Sequence, residues 1–172
     1  MFQAMGIAMI LFACIAFSYL KVDALKQQYE NLKALRQALL IIKNEISFSS
    51  IELSEAAMTV SNTLSGEMAS VFSYVADYLS EHEMADFAQA WEEAKKCAPH
   101  RPILSVAADK TMTDFARRAG KMSREIEMEN IDKTLSMLES ELTTEGEQYI
   151  KNKKLIYTLG VGVGLAVLIL FI

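Results

Sequence analysis

Proline and glycine are scarce, with 2 Pro and 7 Gly in 172 residues. No run of alternating β-branched residues bounded by turn residues occurs either, which excludes a sandwich, a barrel or a doubly wound sheet and leaves an all-helical chain. The 2 cysteines build no disulfide framework. Cys14 lies in an apolar run and Cys97 far from it, an arrangement suited to a reducing compartment. Charge is missing from both ends: none occurs between Met1 and Leu20 or between Leu155 and Ile172, so all 17 Lys and Arg and all 22 Asp and Glu fall within 21–154. Catalytic signatures are lacking as well. The chain has no GxGxxG, no GxxxxGK followed by Ser or Thr, no HExxH and no GxSxG, so neither a phosphate cradle nor a nucleophile elbow can be placed. Between the apolar ends, His82, Cys97 and His100 are fewer than the about four ligands of a tetrahedral zinc site. No enzyme activity, metal or other cofactor is expected.

The apolar ends have membrane dimensions. A hydrocarbon core about 30 Å thick needs about 20 helical residues. The chain accordingly reads as a transmembrane helix over 1–20, a helical domain over 21–154 and a second transmembrane helix over 155–172. Lys21 and Lys26 follow the first segment, and Lys151, Lys153 and Lys154 precede the second, so the positive-inside rule makes the domain cytoplasmic and both ends extracytoplasmic. Met1 to Gly6 lacks the basic region of a cleaved signal. Leu11-Phe12-Ala13-Cys14 matches a lipoprotein processing site only loosely, because Phe12 is bulky for that motif. Gly160 and Gly164, four residues apart, are the natural face for close packing against another membrane helix; the alternative is that they face lipid.

Between the spans the apolar spacing is helical. Leu25, Tyr29, Leu32, Leu35, Leu39, Ile42 and Ile46 form one stripe that continues the first span. Ser49 and Glu52 have capping-box spacing for a second helix, which Gly66 ends. A third carries Met68, Val71, Phe72, Val75 and Leu79. Ser80 and Glu83 are spaced to cap a fourth, which carries Phe87, Trp91 and Ala94. Pro99 and Pro102 mark a break, a fifth helix covers about 103–119, and Gly120 ends or bends it. From Ile126 through Ile131, Leu135, Leu138 and Leu142 to Tyr149 a last stripe runs into the second span. The expectation is an all-α bundle of about six helices, with the long first and last helices packed antiparallel.

Charge alternates in blocks. Residues 45–93 hold ten acids and no Lys or Arg, 95–124 hold eight basic residues, and 125–147 hold eight acids against Lys133 alone. Such blocks pair within the bundle or are solvated. The sharper reading makes Lys110, Arg117, Lys121 and Arg124, near one face by helical spacing, a docking stripe for an acidic partner. Nucleic acid is the weaker target, since the net charge is −5 and only Phe115 interleaves the basic positions. Trp91 reads as a core anchor with its indole N–H at the edge. The alternative functional class is a membrane-anchored ion sensor or enzyme using the acids at 77–93.

Several elements in order resemble the stage III sporulation protein AB family. They are the glycine-bearing first span, Glu45-Ile46 closing the leading helix, Leu53-x-Glu55-Ala56, Trp91, Leu104 before Asp109, Gly120, and Lys154-x-x-Tyr157-x-Leu159-Gly160. The resemblance implies a non-enzymatic part in a trans-envelope, secretion-like complex between mother cell and forespore. It places the chain in the mother-cell membrane facing the forespore, with a domain similar to the cytoplasmic domains of type II secretion and type IV pilus platform proteins. It further implies an oligomeric assembly that couples a sporulation secretion-type ATPase to other membrane subunits, surrounded by membrane lipid.

Overall fold

The computed structural model describes the backbone of residues 2–49, 52–82, 84–121 and 123–170, with side chains mainly between 19 and 158. Six helices follow one another: α1 (Phe2–Ser49), α2 (Leu53–Thr63), α3 (Glu67–Glu81), α4 (Phe87–Cys97), α5 (Val106–Ala116) and α6 (Arg124–Leu170). No strand occurs among the described residues.

The two long helices form the spine. Their antiparallel register is marked by rungs at matched heights: Arg36 to Glu139 and Lys43 to Asp132, both at 2.5 Å, and Tyr29 stacked on Tyr149 with ring centroids 6.1 Å apart. Leu32, Leu35, Leu39 and Ile42 on α1 and Ile131 and Leu138 on α6 are fully buried. Both helices therefore turn an apolar stripe inward, and burial of that stripe rather than helix propensity holds them. The four short helices complete the core with Val60, Phe72, Phe87, Trp91, Met112 and Phe115. Asn31 of α1 ties the layers together, donating to the Glu67 carboxylate at the start of α3 (2.8 Å) and to the Ile103 carbonyl before α5 (3.2 Å).

Helix ends depart from the sequence expectation in instructive ways. Ser49 belongs to α1, and α2 starts at Leu53, preceded by Glu52, whose side chain makes no capping bond. Gly66 does not end α2, which stops at Thr63; with φ +79° it opens α3 instead. Ser80 lies in the last turns of α3. The working capping box is Asp86 with Gln89, in which Asp86 accepts the Gln89 N–H at 2.8 Å and the Gln89 side chain accepts the Asp86 N–H. The fifth helix is shorter than expected, beginning after the Ser105 cap and ending at Ala116. Ile126, assigned to the last inward stripe, is half exposed.

Among the described residues no helix is long and apolar enough to cross a membrane. Most side chains of 1–18 and 159–172, on which two spans were expected, lie outside the described residues, as do the surroundings of Gly160 and Gly164.

Candidate functional site

Three of the six acids at 77–93, Asp86, Glu92 and Glu93, are engaged in structure. Asp86 both caps α4 and accepts from the Lys121 ammonium at 2.8 Å, and these bonds, Lys121 foremost, hold its carboxyl below the usual range. Glu92 and Glu93 pair with Lys95 and Lys96 one turn on, each at 2.9 Å, and Lys95 also reaches Asp109 at 3.0 Å. Asp77 and Glu81 are exposed, and Glu83 lies outside the described residues. No group of three or more His, Cys, Asp or Glu able to hold a metal occurs among the described residues. His82 stacks on Tyr78 with its Nδ1 at 3.0 Å from the Tyr78 carbonyl. His100 and Cys97 are exposed.

The four cations expected on one helix face fall into two separate places. α5 ends at Ala116, and the chain turns at Gly120 with φ +74°, so the periodicity linking Arg117 to Lys121 and Arg124 is broken. Lys121 is held by Asp86, and Arg124 donates to the carbonyl of Ser47 at the end of α1. Lys110 and Arg117 remain exposed, on a groove of about 650 Å³ between α5 and α6. Arg118, Lys133 and Met137 also line it, together with Asp114 and Glu141. Lys133 was not among the expected docking residues. Its signal was visible as the lone cation in the acidic run of α6, but only the tertiary fold brings it beside α5.

A second concavity of about 540 Å³ lies at the far end of the bundle from the chain ends. Ile46, Leu53, Leu79 and Phe87 supply apolar walls, and Lys121, Arg124 and Glu127 supply charge. Glu127 is 5% exposed; its Oε2 accepts the Gly120 N–H at 3.3 Å, while Oε1 has no partner. Burial pushes this carboxyl up, because the charged form has lost water that one backbone N–H does not replace. Sequence periodicity gave no warning of a buried acid here, since an acid in the first turn of a helix is ordinary.

Trp91 is completely buried and packs against Phe72, ring centroids 5.9 Å apart. Its indole N–H does not reach an edge: it is buried without a hydrogen-bond partner. The residue is therefore walled in by α3 and the core, unlike an exposed partner anchor.

The sequence profile of the family described as stage III sporulation protein AB matches residues 3–172. A solved structure described as stage III sporulation protein AB matches with a TM-score of 0.65, covering 72% of this chain and 97% of its own, at 20% identity. At that identity the likeness shows a shared helical fold. No curated protein matches the chain. The family profile spans both long helices and the four short ones between them, and the chain belongs to the stage III sporulation protein AB family.

Proposed function

We propose that this sporulation protein is a non-enzymatic membrane scaffold of the complex between mother cell and forespore. Two spans, over 1–20 and 155–172, hold it in the mother-cell membrane facing the forespore, and the bundle over 21–154 lies in the cytoplasm. There it couples a secretion-type ATPase to other membrane subunits. The observation that carries this reading is the pair of long antiparallel helices leaving the same end of a compact bundle within a family match over nearly the whole chain. Such a shape holds a rigid domain at a fixed place. The exposed cations Lys110, Arg117 and Lys133 offer that domain a basic docking face. Complementary charge at such a face raises association rate and specificity.

The test is purification of the full chain from sporulating cells in mild detergent. A hexameric ATPase and membrane subunits of the same complex are expected to co-purify in fixed ratio. A chain that resides in the soluble fraction, or that purifies from membranes without either, would refute the scaffold.

A further inference from the structure

The neck, where α1 and α6 leave the bundle side by side, has a charge opposite to that of the chain as a whole. Of 17 basic and 22 acidic residues, Lys21, Lys26, Lys151, Lys153 and Lys154 fall within 19–26 and 149–158, against Asp23 alone. The rest of the chain is correspondingly more acidic than its net charge of −5 suggests. Register places these residues in one collar. Tyr29 stacks on Tyr149, and at about 1.5 Å per residue both Lys21 and Tyr157 lie roughly 12 Å beyond that stack. Val22 is 6% exposed, so the two helices still pack at this height.

Large apolar and aromatic side chains are exposed in the same collar: Tyr19, Leu20, Ile150, Leu155 and Tyr157 range from 45% to 69% exposed. On α6, Ile150, Lys153, Lys154 and Tyr157 recur at helical spacing and, with Tyr149 and Thr158, line a shallow groove of about 430 Å³. The Lys153 ammonium lies 5.8 Å from the Tyr149 ring. Lys151, Lys153 and Lys154 make no ion pair with the described residues. Unpaired ammonium groups alternating with half-exposed aromatic and aliphatic side chains suit a boundary that is anionic on one side and hydrocarbon on the other.

We propose that this collar binds the phosphate headgroups of anionic phospholipids, an inference that rests on the two-span reading above. Lys153 and Lys154 donate to the phosphate oxygens, while Leu155 and Tyr157 enter the acyl boundary. The same surface repels the acidic bundle, so attraction at the neck and repulsion beyond it hold the bundle off the membrane.

The experiment uses the full chain in vesicles of phosphatidylcholine containing trace spin-labelled phosphatidylglycerol or spin-labelled phosphatidylcholine. A preference of about threefold or more for phosphatidylglycerol is expected, somewhat below the about fivefold gain of one lysine at a strongly anionic surface. The combination Lys151→Gln, Lys153→Gln and Lys154→Gln should bring the ratio close to one, and the corresponding Lys→Arg set should retain it. Lys43→Gln with Lys96→Gln, on the bundle, should change nothing. Excess glycerol phosphate should fail to compete if the lipid rather than free phosphate is bound. A wild-type ratio near one, or a preference that survives in the glutamine variant, overturns the collar while leaving the spans intact. A full chain that does not enter neutral vesicles at all overturns the two-span reading and the collar with it.

Discussion

Trp91→Ala removes the largest of the fully buried side chains. A buried indole side chain takes about 200 Å² out of water, which at about 25 cal/mol per Å² sets an upper bound of about 5 kcal/mol. Two features of the site bring the expected loss to about 3–4 kcal/mol, within the range for large aromatic truncations. Alanine is the better helix former by about 0.5 kcal/mol. The indole N–H has no partner, so no hydrogen bond is lost with it. The same orphan makes Trp91→Phe mild, about 1 kcal/mol, because shrinking the ring also removes an unsatisfied donor. Hydrogen exchange on the full chain in detergent, read by mass spectrometry, gives the opening free energies of α3, α4 and α5 directly. Protection in those helices should fall by the stated amounts while the collar is unaffected. Undiminished protection in Trp91→Ala, or a Trp91→Phe loss as large as that of alanine, would refute the packing account.

Gly120→Ala should destabilise the α5–α6 turn by about 1–2 kcal/mol, since φ is +74° and the new Cβ would lie 2.8 Å from Leu53 Cδ1; unchanged exchange at residues 117–127 would contradict this. Glu127→Gln should stabilise the chain at neutral pH. The folded-state pKa is raised above the unfolded value of 4.5, so the native carboxyl loses stability as pH rises through its folded pKa, and the amide's advantage should disappear below pH 4.5. Thermal denaturation at both pH extremes decides it, and an amide variant less stable at neutral pH would refute it. In a Cys14→Ser background, the exposed Cys97 should react with an impermeant maleimide only after the cells are permeabilised; rapid labelling of intact cells would refute the cytoplasmic placement.

The long elements were legible because burial imposes a period on them. Leu32, Leu35, Leu39 and Ile42 repeat at helical spacing and are all fully buried. Helix ends were less legible, because a Ser followed three residues later by Glu satisfies the capping pattern whether or not the chain breaks there. Packing continues α1 through Ser49 and α3 through Ser80, and the break falls at Asp86 instead. The placement of the four cations Lys110, Arg117, Lys121 and Arg124 was half legible for a similar reason. Helical spacing assumes one unbroken helix, whereas Gly120 turns the chain between Arg117 and Lys121. Lys121 is then held by Asp86, from a stretch 35 residues earlier. The unpartnered Glu127 and the Trp91 N–H depend on what neighbouring helices fail to supply, which no local pattern encodes.

Association of the full chain, held in lipid nanodiscs, with the cognate sporulation ATPase tests the scaffold most directly. Binding should be measurable for the wild type and should weaken as salt brings the Debye length below about 8 Å. Lys110→Glu with Arg117→Glu should slow association about tenfold or more without loss of helicity, because both side chains are exposed on the α5–α6 groove. Wild-type binding indifferent to salt and to this charge reversal would contradict a basic docking face, and no binding at all would contradict the scaffold itself.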